Sequence, residues 1–233
     1  MSQNIGDDNM STQDTTKYYD EKYFSEQKSV GMANANNIIQ WFEPHVSDND
    51  VVLDFGCGGG YVLSALVCRI RHGFDVNQIA LEQAKKQGLL THSDLSEIES
   101  ESLDVVISNS AIEHTPTPYE DICKLRSKLK PGGKIIFRVP HETIGWSYAQ
   151  GDWNYHLFTW SPMALGNLFH AAGFSDISVV VDKELTPSFF QFIRNRFLRG
   201  FIGKAYRLLR MAADEMNVRR IGVDGYCVIV AKR

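Results

Sequence analysis

The chain reads as a doubly wound α/β domain on a seven-stranded, mainly parallel sheet, and two observations predict it. From Val51 onward, short β-branched and apolar runs alternate with segments of helical period about ten to fifteen residues long, the pattern of successive βαβ units. The first of these strands, Val51–Phe55, runs straight into a turn holding Gly56, Gly58, Gly59 and Gly60, and a helical segment opens at Tyr61. A turn this rich in glycine lets the backbone approach a ligand closely, at the strand end where open α/β sheets bind one.

The elements follow in order. Residues 1–16 are dominated by Asp, Asn, Ser, Thr and Gln and are expected to be disordered, which leaves 17–233 as the domain. Lys17–Phe24 is aromatic, and Met32–Phe42 reads as a helix carrying Ile38, Ile39, Trp41 and Phe42, with Pro44 just beyond its end. Strands are predicted at Val51–Phe55, His72–Val76, Leu89–His92, Asp104–Ser108, Lys134–Val139, Ile177–Val181 and Tyr226–Ala231. Helices fit between them at Tyr61–Ile70, Asn77–Gln87, Pro118–Leu129 and Ser161–Ala172. Ile79, Ala80 and Ala84 share one side of the second of these, while Glu82, Lys85 and Lys86 occupy another. Pro118 suits a first helical turn, where its missing N–H is no loss, and Lys130-Pro131-Gly132-Gly133 is expected to stop that helix. Ser161-Pro162 repeats the cap-then-proline start, and Gly173 closes the last helix.

Composition narrows the function. A chain of 233 residues suits one domain with a real core. Its net charge of −4 gives no global electrostatic case for a nucleic-acid partner. No run of 18 apolar residues exists to span a bilayer, and the polar first sixteen residues lack the pattern of a signal peptide. Cys57, Cys68, Cys123 and Cys227 are scattered without a C-x-x-C pair, as expected for reduced thiols in a cytoplasmic protein.

Asp54, at the end of the first strand, projects a carboxylate into the same crevice, which favours a ligand carrying cationic groups over a bare phosphate. The dinucleotide fingerprint G-x-G-x-x-G competes for the turn, but its last glycine falls on Tyr61, and a pyrophosphate gains nothing from Asp54. Asp54, Gly56, Gly58 and Gly60 stand in register with D-x-G-x-G-x-G, and here the chain resembles motif I of the class I S-adenosylmethionine-dependent methyltransferases. Leu129-Lys130-Pro131-Gly132-Gly133, ahead of a strand, and Ala172-Gly173-Phe174, ahead of another, are similar to further segments of that family. The resemblance covers roughly residues 35–182 plus the final strand. It implies a Rossmann-like methyltransferase fold whose last strand inserts antiparallel between strands five and six, and S-adenosylmethionine as cofactor.

The resemblance also implies roles for single residues. Asp75, with Val76 beside it, takes the position that holds the ribose hydroxyls, and Asp94 the position that accepts from the adenine amino group, with Leu95 offering a backbone N–H. A helix cap is the alternative reading for both aspartates. Asp54 holds the turn or reaches the methionine ammonium, and Asn109 contacts the cofactor through its backbone.

A sulfonium methyl is already activated, so alignment carries much of the catalysis, and a hydroxyl acceptor adds the need for a general base. His114, His141 and His156 are the candidates, with Glu113 behind them. Glu113-His114 resembles an E-H pair common in the family. Some members extend it to a metal-holding E-x-x-E-H, but Ser110 stands where the first glutamate would be, so no metal is expected. Asn109-Ser110-Ala111-Ile112 also lacks the [DN]-P-P-[YFW] loop of adenine and amide N-methyltransferases. Trp153 and Tyr155, within an aromatic stretch from Trp146 to Trp160, are the candidate substrate contacts.

Residues 187–215 form an expected helical insertion before the last strand, basic and amphipathic over 187–211. It carries Arg194, Arg196, Arg199, Lys204, Arg207 and Arg210, with apolar residues at every fourth position. Three readings stand side by side: it roofs the active site, lies on an anionic membrane surface, or contacts a second copy. The reading as a whole is O-methylation of a small or lipid-linked acceptor in a glycan pathway. Its alternatives are a natural product or quinone-like acceptor, a non-catalytic cofactor binder, and a dehydrogenase.

Overall fold

In the computed structural model, the residues described are 35, 38–141, 155–183 and 225–233. The expected tail 1–16, the aromatic Lys17–Phe24, part of the Met32–Phe42 helix, Trp146, Trp153 and the insertion 187–215 lie outside them. Seven strands form one sheet: β1 (Val51–Phe55), β2 (Ile70–Phe74), β3 (Leu90–His92), β4 (Leu103–Asn109), β5 (Leu129–His141), β6 (Ser175–Lys183) and β7 (Gly225–Lys232). Among the described residues, four α-helices accompany them: α1 (Tyr61–Ala65), α2 (Gln78–Lys86), α3 (Pro118–Lys128) and α4 (Pro162–Ala171). The spatial order is β3-β2-β1-β4-β5-β7-β6. Strands β1 to β5 pair in parallel, while β7 runs antiparallel to both β5 and β6. The sheet is therefore doubly wound, with the last strand set antiparallel between β5 and β6 as the resemblance implies. Its winding reverses between β1 and β4, so the crevice at their carboxyl ends is the topological switch point.

Both sheet faces are covered, and strand parity sorts the core. Val51, Leu53 and Phe55 of β1 join Ile135, Phe137 and Val139 of β5 under α3 and α4, with Ile122, Leu125, Leu165 and Phe169. The intervening Val52 and Ile136 face the other way, into a cluster with Leu63, Leu81, Ala84 and the fully buried Phe42. Phe55 stacks between Phe74 and Phe137, with ring centroids 5.2 and 6.2 Å away, and these rings floor the switch point.

Most element boundaries shift by one or more residues from the sequence expectation, and three shifts have a visible cause. The helix expected over Tyr61–Ile70 ends at Ala65, and Leu66 is already extended. Its last carbonyls are taken by Arg71 of β2, which donates from Nε to the Leu63 oxygen and from Nη2 to that of Leu66 at 2.8 Å. Strand β2 consequently starts and ends two positions early, so Asp75 follows the strand rather than lying within it. Strand β5 starts at Leu129 because Pro131-Gly132-Gly133 is absorbed as a bulge: Leu103 pairs with Leu129, and Val105 next pairs with Lys134.

Candidate active site

The crevice is built from the turn that follows β1. Gly56 and Cys57 both donate to the Phe74 carbonyl, at 2.8 and 3.0 Å, which fastens the turn to the end of β2. Gly56, Gly58 and Gly60 all take positive φ, whereas Gly59 does not, so backbone conformation follows the D-x-G-x-G-x-G register. A Cβ on Gly56 would lie 2.3 Å from that of Ala111, so the turns after β1 and β4 touch there. At Gly58 the same atom would meet nothing within 4 Å, and the backbone there borders open space.

Asp75 ties the site together. Its carboxylate accepts from the Gly58 N–H at 2.9 Å through one oxygen and from the Asn77 N–H at 2.9 Å through the other. Asn77 in turn caps α2, accepting from Ile79 and Ala80. Burial pushes the Asp75 carboxyl up, and the N–H groups of Asn77, Gly58 and Val76 oppose that shift. Asp54 is buried, and its carboxyl is pushed up to about 7, first by burial and then by the negative charge of Asp75. Two carboxyls beside an open glycine backbone suit a ligand that brings a cation and hydroxyl donors. This donor set fits the aminoacyl and ribose parts of S-adenosylmethionine.

Asp94 and Leu95 sit past β3. Asp94 opens the 3-10 turn Leu95–Glu97 with a full capping box: its side chain accepts from Ser96 N–H at 2.8 Å, and Glu97 accepts from the Asp94 N–H at 3.1 Å. The helix-cap alternative is thus realised, and its hydrogen bonds hold the Asp94 carboxyl below the usual range. The same residue lines a cleft of about 350 Å³ with Phe74, Leu95, Lys124 and Lys128. Val76 is exposed beside Asp75, and Leu95 is buried. Asn109 ends β4, where its side chain accepts from Arg138 at 3.1 Å, while Ser110 turns the chain with φ of 53°.

Two of the three predicted histidines come together. Glu113 and His114 occupy a one-turn 3-10 segment after β4, and the His114 ring lies edge-on to His156 with centroids 4.9 Å apart. Residues 155–158 are stitched to that loop: Leu157 and Phe158 both donate to the Glu113 carbonyl, and His114 Nδ1 lies 3.3 Å from the Tyr155 carbonyl. Glu113 is fully buried, with Oε1 3.8 Å from His114 Nε2. Glu113, His114 and His156 each place a donor atom within 4.8 Å of the others. The expectation of no metal rested on Ser110; the fold brings His156 to the pair instead, and these are donors a divalent cation accepts. His141 stands apart from this cluster, its Nδ1 2.7 Å from the Trp160 carbonyl. Tyr155 is partly exposed beside the pair, with φ of 47°.

Sequence reasoning missed two constellations. Arg138, buried within β5, stacks 3.2 Å over the Tyr226 ring and reaches Asp182 at 3.7 Å. A charged residue inside Ile135-Ile136-Phe137-Arg138-Val139 was the available signal. His72 and His92 hydrogen-bond across neighbouring strands, which needs the β2–β3 register and has no local signature.

Known proteins resemble this arrangement. A profile described as "Methyltransferase domain" matches residues 28–179. The ubiquinone biosynthesis O-methyltransferase of Hahella chejuensis is 35% identical over 98 residues, 37% of this chain and 41% of that protein. Its counterpart in Nitrosococcus oceani is 31% identical over 132 residues, 46% of this chain and 56% of that protein. The matched stretch thus spans about half the length of these relatives. Among solved structures, a possible histamine N-methyltransferase from Thermotoga maritima superposes with a TM-score of 0.62 at 16% identity, covering 91% of this chain and 95% of its own. An S-adenosylmethionine-dependent methyltransferase from Archaeoglobus fulgidus gives 0.59 at 20% identity, over 92% of this chain and all of its own. Glycine turn, paired carboxylates, strand order and family match agree: the chain belongs to the methyltransferase-domain family of S-adenosylmethionine-dependent enzymes.

Proposed function

We propose that this chain methylates a hydroxyl oxygen of a small, quinone-like phenolic acceptor, with S-adenosylmethionine as donor and His114 as general base. The observation that carries the reading is the His114 environment. With Nδ1 protonated to donate to the Tyr155 carbonyl, Nε2 holds the lone pair that takes the phenol proton. The buried Glu113 carboxylate, 3.8 Å away, stabilises the imidazolium so formed. The names of the relatives support a quinone-like acceptor over the lipid-linked glycan set out from the sequence.

When bound, the cofactor supplies an activated methyl on sulfur. The chain's own residues do the rest. Asp75 and the Gly58 backbone would hold the ribose, Asp54 the ammonium, and Asp94 with Leu95 and Val76 the adenine. Gly60 and Asn109 shape the walls between them. His156 packs against His114 and fixes its ring plane. Phe158, stacked on Trp160 at 5.7 Å, and Tyr155 supply an apolar wall near the base.

The test is formation of S-adenosylhomocysteine by the full chain over a panel of catechols, hydroxybenzoates, monosaccharides and polyprenyl-linked sugars. Turnover confined to the phenols is expected. Methylation of a sugar hydroxyl with every phenol untouched would overturn the reading.

A further inference from the structure

Outside the cofactor contacts, a chain of side-chain hydrogen bonds runs along the sheet edge and ends on the Asp94 cap. His72 of β2 faces the same side as Ile70 and Phe74, with Leu53 its neighbour on β1. His72 Nδ1 lies 2.9 Å from His92 Nε2 on β3, and the two rings sit 5.1 Å apart at 30°. His92 Nδ1 lies 3.3 Å from Glu97 Oε2. The other Glu97 oxygen accepts from the Asp94 N–H at 3.1 Å and from Ser93 Oγ at 3.4 Å. Glu97 is therefore shared between an imidazole and the backbone that sets Asp94.

Proton placement in this chain is constrained. A carboxylate only accepts, so His92 carries its proton on Nδ1, its Nε2 accepts, and His72 Nδ1 donates. One added proton on His92 Nε2 is accommodated if His72 exchanges tautomer, and it strengthens the contact with Glu97. A second proton, on His72, leaves two N–H groups and two like charges facing each other across 2.9 Å. Among the described residues, Asp94 and Glu97 carry charge at the 3-10 turn on this side, and Asp121, Lys124 and Lys128 of α3 line the cleft shared with Asp94. Leu53 and Phe55 of β1 bring no charge.

We infer that His72, His92 and Glu97 are positioning residues for adenine recognition, a proton-dependent relay that keeps Asp94 and Leu95 in place and lets go when both imidazoles are charged. This rests on reading Asp94 and Leu95 as the adenine contacts. Burial and the neighbouring His92 hold His72 below the usual histidine range, so the second proton is resisted.

The experiment measures the binding of S-adenosylhomocysteine and its deaminated analogue S-inosylhomocysteine to the full chain at about pH 8 and about pH 5.5, by calorimetry. The affinity ratio isolates the adenine end, because Asp54 meets the methionine end of both ligands alike. In the native chain the adenine preference is expected to fall roughly fivefold or more on acidification. His72→Gln removes the second charge and should hold the ratio constant with pH, and Glu97→Gln should lower the ratio at both. Imidazole ¹⁵N spectra of the native chain should show the His72 signal responding over the same pH interval. If Asp94→Asn abolishes the preference but His72→Gln and Glu97→Gln behave as native, the relay is refuted and the adenine reading stands. If Asp94→Asn keeps the full preference, the adenine reading fails and takes the relay with it.

Discussion

Gly56 and Gly58 share a left-handed backbone but differ in what a methyl group would meet, and that difference is measurable. Gly56→Ala combines φ of 74° with a 2.3 Å overlap on Ala111, so it should destabilise by about 3 kcal/mol and separate the turns after β1 and β4. Gly58→Ala faces open space, so its cost is limited to backbone strain of roughly 1–2 kcal/mol. Gly58→Ala should then remain folded by circular dichroism while losing cofactor affinity. At Asp54 the expected signature is in pH. A carboxyl raised to about 7 in the folded chain favours the protonated form, so this contribution to stability is complete below the unfolded value near 4 and is lost as pH rises through 7. The melting temperature of the cofactor-free chain should fall across that window, and Asp54→Asn should flatten the fall. His114→Ala should lower kcat by about a hundredfold or more and leave cofactor binding intact, as single-turnover and binding assays would show. At this scale the glycine turn and Asp54 were legible from their local spacing, whereas the roles of Asp75 and Asp94 came from family resemblance. Arg138 with Tyr226, and His72 with His92, were not legible, since each pair exists only once distant strands take up register.

Helix α1 shows how an element escapes its own sequence. Tyr61–Ile70 has apolar residues enough for nearly three turns, yet the helix stops at Ala65 because Ile70 is needed opposite Val51 in the sheet. Pairing of β2 with β1 outweighs helix propensity, and Arg71 satisfies the carbonyls left over at the helix end. Arg71→Ala should therefore lower stability by about 1–2 kcal/mol in denaturant titration, with kcat unchanged. Where caps are explicit, as with Asn77 at α2 and Ser161 at α4, the sequence placed the starts within one residue. Lys130-Pro131-Gly132-Gly133 does end α3, at Lys128, but these residues then join β5 as a bulge, so the strand starts at Leu129 and not at Lys134.

At the scale of the whole molecule, the alternation of strands and helices gave the fold class, but the antiparallel seat of β7 between β5 and β6 came from family resemblance alone. Nothing in Gly225–Lys232 says which neighbours it will choose. The same non-local folding assembles the proposed base: His156 reaches His114 because residues 155–158 pair with the Glu113 carbonyl, an encounter no spacing rule describes. If that cluster works as a hydrogen-bonded base, exhaustive dialysis against a chelator should leave methyl transfer unchanged. Loss of turnover restored by a divalent cation would instead assign Glu113, His114 and His156 to a metal. No described helix is long and apolar enough to cross a membrane. The central claim is that the carboxylate-and-glycine crevice between β1 and β4 receives S-adenosylmethionine, and calorimetric titration of the full chain with S-adenosylhomocysteine and with NAD tests it most directly. The account predicts micromolar binding of the first, weakened at least about tenfold by Asp75→Ala, and no binding of the second. Tight binding of NAD with none of S-adenosylhomocysteine would contradict it.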